Sequence, residues 1–379
     1  MVDIIEVKTK KQQKAFLEFP LDLYRGNPNF VPPLYGDEKK IFRPDYIYHD
    51  TCETGYWLAE REGKVVGRIS AILQRASNEK HNEKRVRFTR FDAIDDQEVA
   101  DALFGAVERF AKERGMNAVC GPLGFSDLER EGLLIEGFEE LSTFEEQYNA
   151  AYYGKLIETC GYRKEVDWVE SKIYAPDQAT ADKLKHLSEM LLKKFHLRIA
   201  EAKNVNDFLD RYKDGFFDLL DVAYEDIYGT VPFTDGMKKT MIDNFRLIID
   251  LDHVVCLLDE HDKVVCLGLC FPSIARAVQP SNGHLTPAAL VRLLKAIKKP
   301  KVIDLGLIAV APEYQNTGVI AVIAAALADM LLVGGVEYAE TNLNLEDNLA
   351  IQNLWKRFRA VQHKRRRSYL KELSSKRDC

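Results

Sequence analysis

The chain has 379 residues, of which 46% are hydrophobic and 30% are charged, and its 53 Lys and Arg against 59 Asp and Glu give a net charge of -6. This composition is typical of a globular protein with two or three domains, and it excludes disordered, collagen-like and low-complexity classes. The acidic balance gives no reason to expect a nucleic-acid partner.

In chain order, the first half is predicted to contain a strand, a helical stretch, a hairpin, a second strand and a long helix, at 4–9, 11–24, 56–69, 86–94 and 96–114. The same order returns at 197–203, 205–227, 254–269, 302–310 and 319–332. In each half a further strand and helix follow. A helix over 181–195 is predicted to connect the halves.

Two landmarks recur at one spacing. Lys64 and Lys263 each follow a hairpin turn, and Asn149 and Asn348 are each predicted to open a short amphipathic helix; 263 minus 64 and 348 minus 149 both give 199. The shared offset predicts a duplicated domain. We place the boundary in the turn-rich stretch 175–180, so that the domains span 1–178 and 179–379. Strands that alternate with helices after a hairpin predict an α/β (α+β) class with a mixed sheet.

The sequence contains no pattern for a disulfide framework, a metal site, a membrane span or a signal segment. The seven cysteines form no Cys-x-x-Cys pair and the eight histidines form no His-x-x-x-His pair, so we expect free thiols and no metal. Cys266 and Cys270 are predicted to be buried thiols of one strand. The apolar run 319–333 is too short to span a bilayer and carries Asp329, which predicts a buried helix. With no signal-like segment after Met1, a cytoplasmic location is expected.

A strand, a loop and a helix are predicted over 304–319. This stretch resembles the acyl-CoA signature of the GNAT superfamily of N-acetyltransferases, in which a strand leads into a Gln/Arg-x-x-Gly-x-Gly/Ala turn and then a helix. Gln315 and Gly318 match the turn, whereas Ile320 stands where the family has Gly or Ala. Two domains of this family in tandem are therefore the expected architecture.

The resemblance implies a role for the backbone of this stretch. The turn would hold the coenzyme pyrophosphate, and the end of the strand would polarise the thioester carbonyl. The residues implied are Ile308, Val310, Gln315, Asn316, Thr317, Gly318 and Val319. Glycine and a helix N-terminus suit a phosphate because they let N–H groups approach it. Two alternatives stay open: Gly318 ends a tight turn before a buried helix, and Ile320 either narrows the loop or faces the core.

A second match lies further along the chain. The stretch 348–358, which opens with Asn348, is similar to the later Asn-x-x-Ala helix of the same family, and the resemblance adds Asn348 to the acyl-CoA site. Trp355 occupies the place of a tyrosine that often protonates the leaving thiolate. An indole N–H donates a hydrogen bond but does not titrate usefully, so that role is not transferred to Trp355. Packing in the core or against a ligand is expected instead.

Polar residues alternate along the strand predicted at 338–344. A period of two places Tyr338, Glu340, Asn342 and Asn344 on one face. This pattern predicts a wet cleft in which Glu340 acts as the base, directly or through water, with Asn342 beside it. The alternative is a strand near the sheet surface or a polar network. Glu313, next to the loop, is expected to be exposed.

The N-terminal half resembles the same fold without its phosphate loop. No Gln-x-x-Gly-x-Gly turn follows the strand at 86–94, and the stretch 121–131 resembles an insertion of two-domain bacterial members of the superfamily. The basic run 363–367 is predicted to be a loop and edge strand, where Lys and Arg oppose further sheet pairing.

The function predicted is an enzymatic one: an acyl-CoA-dependent N-acyltransferase that moves an acetyl or related acyl group from its coenzyme to an amine of a small molecule or peptide. Neither a nucleic-acid nor a membrane partner is expected, and a homodimer stays open. One alternative is a non-catalytic protein that binds acyl-CoA or another ligand, which Ile320 and Trp355 would favour. Another is a Fem-type aminoacyltransferase, which also pairs two GNAT-like domains but uses aminoacyl-tRNA.

Overall fold

The chain folds into two compact units in a computed structural model. Unit 1 comprises Met1–Val169, Ala275–Leu293 and the C-terminal stretch from Lys364, and unit 2 comprises Glu170–Ile274 and Leu294–His363. The structure describes residues 1–373, apart from the side chains of Phe245, Leu247 and Ile248.

The two units do not contain the same residues as the domains predicted at 1–178 and 179–379, because two later segments of the chain belong to unit 1. In one of them the carbonyl of Gly283 accepts a hydrogen bond from the Tyr35 N–H at 3.0 Å, and the side-chain amide of Gln279 donates to Pro28 O at 2.7 Å. The other is the last strand. Such contacts join residues far apart in the chain, so no local pattern predicts them.

Fourteen strands lie along residues 1–373. They are β1 Asp3–Glu6, β2 Cys52–Arg61, β3 Lys64–Gln74, β4 Arg85–Ala93, β5 Ala118–Gly121, β6 Leu133–Glu136, β7 Arg163–Tyr174, β8 Arg198–Ile199, β9 Val254–Leu258, β10 Val264–Pro272, β11 Val302–Val310, β12 Tyr338–Thr341, β13 Asn344–Leu345 and β14 Arg359–Glu372.

Twelve α-helices lie along the same residues. They are α1 Lys10–Leu23, α2 Tyr35–Glu38, α3 Arg75–His81, α4 Gln97–Glu113, α5 Tyr153–Thr159, α6 Gln178–Lys194, α7 Val205–Ala223, α8 Asp235–Ile248, α9 Ala275–Val278, α10 Pro287–Lys298, α11 Ala321–Val333 and α12 Leu349–Trp355. The mixed α/β class is confirmed.

The sheet of unit 1 has the strand order β1-β2-β3-β4-β5-β14, and β6 also pairs with β14. Neighbouring strands are antiparallel except for β4 and β5, which run parallel. Helix α4 begins after Asp96, whose carboxylate accepts hydrogen bonds from the first-turn N–H groups of Glu98 and Val99. It buries Val99, Leu103 and Val107, spaced by four residues, against the core.

The sheet of unit 2 has the strand order β8-β9-β10-β11-β12, followed by the last five residues of β7. Here the parallel pair is β11 and β12, and the other neighbours are antiparallel. Helix α7 contacts β10 and β11, while α6 contacts α11. Both predicted hairpins are confirmed, as β2–β3 and β9–β10.

The apolar run 319–333 forms α11, whose residues Ala321–Ala325, Leu327, Ala328 and Leu331 are buried. The prediction of a buried helix is therefore confirmed. Within residues 1–373, no helix combines the length and the apolar character that crossing a bilayer requires.

Asn149 does not open a helix, contrary to the prediction. Helix α5 starts at Tyr153, and the buried Asn149 side chain instead accepts from the Leu134 N–H at 2.7 Å and donates to Leu134 O at 3.0 Å. Asn348 does cap α12, since its Oδ1 accepts from the Ile351 N–H at 3.2 Å. The equal offset of the two asparagines thus does not reflect equal roles.

The prediction of a loop and edge strand at 363–367 is wrong. These residues lie in β14, which in unit 1 pairs with both β5 and β6. Lys364 and Arg366 are buried. Arg367 donates to both carboxylate oxygens of Asp167, at 2.8 and 3.0 Å, and Arg365 also donates to this buried carboxylate. Because a buried anion compensates the cations, a charged run can occupy the interior of a sheet.

Six of the seven cysteines are free thiols, and Cys379 lies outside the described residues. Cys266 and Cys270 are buried, as predicted, and burial raises the pKa of each thiol to about 12. Neither thiol is a reactive nucleophile near neutral pH, because the thiolate is the nucleophilic form.

Unit 1 contains a buried glutamate with one carboxyl oxygen that has no hydrogen-bond partner among the described residues. Glu131 is 4% exposed, and its Oε1 makes no hydrogen bond to any described residue. Burial, assisted by the neighbouring charge of Asp127, raises the pKa of Glu131 well above its usual range. The folded state therefore holds the Glu131 proton more tightly than the unfolded chain does.

Glu131→Gln should stabilise unit 1 increasingly as pH rises. Because its pKa is raised in the folded state, protonation of Glu131 adds to the free energy of unfolding. This stabilisation is complete below the unfolded pKa of about 4.3 and is lost as pH rises toward the folded pKa. Gln does not titrate, so the variant loses no stability over this pH range. We expect a gain of roughly 1–3 kcal/mol at neutral pH, measured by denaturant unfolding between pH 5 and 8. Glu139→Gln, at an exposed position, is the control. A pH-independent difference between wild type and Glu131→Gln would contradict the assignment.

Candidate functional site

Strands β11 and β12 of unit 2 separate after a short parallel pairing. Their register runs from Val302 opposite Tyr338 to Leu305 opposite Thr341, and the N–H of Asn342 makes a final bond to Leu305 O at 3.3 Å. Strand β11 then continues to Val310, paired with β10 alone. The last five residues of β11 therefore have one side without a neighbouring strand.

The backbone of Ile308 and Val310 faces that open side. The N–H of Ala311, the residue after β11, donates to Val265 O at 2.9 Å, so residues at alternate positions direct their backbone groups away from β10. The Tyr224 hydroxyl, after the end of α7, donates to Ile308 O at 3.1 Å. The backbone N–H groups of both residues are therefore directed to the side of β11 that has no neighbouring strand.

The loop after β11 has a backbone suited to an anion. Asn316 has φ +61° and Gly318 has φ +88°, and nothing lies within 4 Å of the position that a Cβ on Gly318 would occupy. The N–H groups of Asn316, Gly318 and Ile320 have no acceptor among the described residues. Unpaired N–H groups in a loop before a helix are the kind of donors that anion sites use.

The start of α11 adds to this preference. The helix begins after Ile320 without a side-chain cap, so no side chain competes for its N-terminal end. The Ile320 side chain packs against the hydrophobic core of unit 2. Of the two alternatives left open by the sequence, Ile320 facing the core is the one observed.

The remaining predicted loop residues contribute in different ways. The Gln315 side-chain amide donates to Val310 O at 3.4 Å, which ties the loop to the strand end. The Thr317 hydroxyl donates a hydrogen bond to Tyr314 O at 2.5 Å. The Val319 side chain is fully buried. Glu313 is exposed, as expected, and pairs with Lys263 at 2.9 Å.

Glu340 is not in a wet cleft, contrary to the expectation. Its side chain is buried, and its Oε1 lies 3.1 Å from Nε2 of His363, whose side chain is also buried. The strand ends at Thr341, so the alternation stops before Asn342, whose Oδ1 accepts from the N–H of Leu343. Glu340 does lie beside the point where β11 and β12 separate.

His363 is a candidate residue that the sequence pattern did not reveal. It opens the basic run that was interpreted as a surface feature, and its imidazole is brought to Glu340 by β14. The buried carboxyl group of Asp304 lies opposite Glu340 in the parallel register. Lys364, Arg366 and Ser368 are buried at alternate positions of β14, and His363 lies one residue before the first of them. The sequence carried no signal for its pairing with Glu340.

Trp355 is a core residue. It is 4% exposed, and its indole N–H donates to Asn344 Oδ1 at 2.8 Å. This bond engages the indole donor and links α12, which Asn348 caps, to the short strand β13. Trp355 is therefore not placed to deliver a proton, as its chemistry led us to expect.

The corresponding end of β4 in unit 1 is filled by side chains. Strands β4 and β5 also pair over only three residues. Beyond them, the Ala93 N–H donates to the Tyr153 hydroxyl at 2.9 Å, and the Tyr152 hydroxyl donates to Ala93 O at 2.7 Å. The Asp96 carboxylate occupies the N-terminus of α4. A second anion would be repelled there, so unit 1 offers no phosphate site at this position.

An apolar cavity in unit 2 lies apart from these residues. It has a volume of about 20 Å³ and is lined between α7, α8 and the β9–β10 hairpin by side chains that include Phe208, Phe216, Ile242 and Leu267. Lys213 is the one charged residue of this lining. None of the predicted site residues contributes to it.

No protein-family model matches the chain. By sequence it is similar to Protein YghO of Escherichia coli, with 29% identity over 371 residues, covering 96% of this chain and 94% of that protein. It is also similar to a bacterial ceramide synthase of Caulobacter vibrioides, with 25% identity over 304 residues, covering 78% of this chain and 77% of that protein.

By structure the chain is similar to a tandem GNAT protein from the clavulanic acid biosynthesis pathway. The TM-score is 0.55 at 10% identity, and all of both chains is covered. It is also similar to the GNAT-type glucosamine N-acetyltransferase region of a fungal multi-domain beta-N-acetylglucosaminidase, with a TM-score of 0.53 at 11% identity, covering 98% of this chain and 38% of that one. The fold is therefore that of the tandem GNAT proteins, as the resemblance implied.

Proposed function

We propose that the protein is an acyl-CoA-dependent N-acyltransferase whose coenzyme site lies in unit 2. The observation that carries this proposal is the set of unpaired N–H groups at Asn316, Gly318 and Ile320, which precede α11 and follow the open side of β11. Because the loop is exposed or half-buried at these positions, the donors are accessible to a ligand.

Different residues of unit 2 would bind different parts of an acyl-CoA molecule. The loop N–H groups and the N-terminus of α11 would hold the pyrophosphate. The open backbone of Ile308 and Val310 would direct N–H donors at the acyl carbonyl, where negative charge develops during acyl transfer. This arrangement needs no covalent nucleophile, because most of the rate enhancement comes from alignment and fixed donors.

The buried pair Glu340 and His363 is the best candidate for the base that receives the proton of the amine. The two groups lie 3.1 Å apart, beside the point where β11 and β12 separate. A carboxyl group and an imidazole in contact provide two groups that can accept a proton. Asn342, the first residue beyond β12, would then serve as a hydrogen-bond partner for the acceptor.

Tyr224→Phe should lower kcat by about tenfold to a hundredfold while the Kd for acyl-CoA changes little. The Tyr224 hydroxyl is hydrogen-bonded to Ile308 O, so it can orient the open strand or protonate the leaving thiolate. Steady-state kinetics with calorimetric binding would measure both quantities. Tyr314→Phe, on the loop side, is the control. An unchanged kcat would remove Tyr224 from the proposed machinery.

The acceptor class is drawn from the relatives. Ceramide is an amide, so the name of the Caulobacter relative adds a long-chain amino alcohol to the amines worth testing. Small-molecule and peptide amines are further acyl acceptors to be tested, with acetyl-CoA and longer-chain acyl-CoA as the acyl donors.

Calorimetry with acetyl-CoA and a long-chain acyl-CoA, combined with a thiol-release assay over this panel of amines, tests the proposal. Coenzyme binding with amine-dependent thiol release supports it. Tight binding without turnover on any amine would favour a non-catalytic acyl-CoA-binding protein. Retention of aminoacyl-tRNA without binding of acyl-CoA would favour a Fem-type aminoacyltransferase.

A further inference from the structure

Helix α10 exposes the apolar side chains that a surface helix normally buries. Leu290, Val291 and Leu294 are 46%, 67% and 58% exposed, and Leu285 before the helix is 54% exposed. Of all twelve residues of α10, Ala289 alone is buried. At about 100° per residue, Leu290, Leu294 and Val291 fall on one arc of the helix, opposite Ala289.

This orientation is fixed by contacts at the start and on the inner face of the helix. Thr286 caps α10, since its Oγ1 accepts from the Ala289 N–H at 3.2 Å, and Pro287 occupies the first helical position. On the inner face, Nε of Arg292 donates to Ala277 O at 3.0 Å. The apolar arc is therefore held outward by the fold.

The segment of the chain that carries this arc has a charge opposite in sign to that of the whole chain. No Asp or Glu occurs from Lys263 to Ile303, although the chain carries 59 acidic residues. Lys295 is exposed beside the apolar arc, the exposed Lys298 lies at the C-terminal end of the arc, and Lys299 follows the helix. An outward apolar stripe bordered by lysines is the pattern of helices that lie in the plane of a membrane interface.

We propose that α10 docks onto the surface of a bilayer that contains anionic phospholipid. Leu290, Val291 and Leu294 insert at the boundary between headgroups and acyl chains, while Lys295 and Lys298 extend toward the phosphates. Anionic lipid is the occupant proposed because its phosphates match the charge of Lys295, Lys298 and Lys299 beside the apolar arc. This proposal departs from the expectation of no membrane partner, and it does not depend on the proposed acyltransferase activity.

Flotation of the full chain with vesicles tests this proposal. Vesicles of phosphatidylcholine alone are compared with vesicles that also contain phosphatidylglycerol, at low and high salt. We expect binding to the anionic vesicles that weakens with salt, and a drop of about tenfold or more in partitioning for the double variant Leu290→Gln/Leu294→Gln. Because both positions are exposed, this variant should retain the wild-type thermal unfolding curve.

The matched control is Met190→Gln/Val222→Gln, which removes two equally exposed apolar side chains from other helices. It should bind vesicles as the wild type does. Failure of the wild type to bind anionic vesicles, or equal binding by the Leu290→Gln/Leu294→Gln variant, overturns the proposal. The proposal is also overturned if the wild type sediments as a dimer and binds no vesicles while the Leu290→Gln/Leu294→Gln variant sediments as a monomer. A second copy of the chain would then cover the helix.

Discussion

Gly318→Asp should weaken the binding of acyl-CoA about a hundredfold, whereas Gly318→Asn should weaken it only a few-fold. Asp and Asn tolerate a positive φ better than other non-glycine residues, and the position that a Cβ would occupy has no neighbour within 4 Å. Both variants should therefore fold. They differ in one charge, which in Asp lies beside the N–H groups proposed to hold the pyrophosphate.

The expected size of this effect follows from Coulomb repulsion. Two like charges about 4 Å apart near a protein surface repel by up to about 4 kcal/mol, and every 1.4 kcal/mol is about tenfold in Kd. Because salt screens the repulsion, the gap between Asp and Asn should narrow at high ionic strength. Calorimetric titration of both variants with acetyl-CoA measures it. If Asp and Asn bind acyl-CoA with the same affinity, the loop is not the coenzyme site.

Glu340→Gln should reduce kcat by about a hundredfold or more and leave the Kd for acyl-CoA near that of the wild type. The amide retains the shape of the carboxyl group but cannot accept a proton at this position, 3.1 Å from Nε2 of His363. Glu313→Gln, which changes an exposed carboxylate near the loop, is the control.

A double variant separates a functional pair from a merely structural one. If Glu340 and His363 act as a unit, Glu340→Gln combined with His363→Gln should cost no more in kcat than either change alone. Unfolding curves of all three variants show whether the buried pair also stabilises unit 2. A kcat within a few-fold of the wild type in Glu340→Gln, with the fold retained, would exclude Glu340 as the base.

Taken together, these two predictions distinguish the rival functions. A non-catalytic acyl-CoA-binding protein would respond to Gly318→Asp and would have no turnover for Glu340→Gln to lower. A Fem-type aminoacyltransferase would respond to neither change in an acyl-CoA assay. An N-acyltransferase should lose coenzyme binding in the first variant and turnover in the second.

The sequence by itself determined the elements whose signals are local. The two hairpins, the helix α11 and the loop between β11 and α11 follow from alternation, turn residues and one run of apolar side chains, all within about 20 residues. The positive φ of Gly318 is likewise a local need that glycine meets. Because these signals are local, the amino-acid sequence alone predicts the fold class and the candidate coenzyme loop.

Only the tertiary structure decided the partners of the charged and polar residues. It paired Glu340 with His363, turned Ile320 to the core, and placed the basic strand β14 against the buried Asp167. It also placed the apolar arc of α10 outward, where the same residues could have faced a core. The physical reason is that periodicity fixes which residues share a face, while burial and charge compensation depend on residues that lie far away in the chain and meet only in the folded protein.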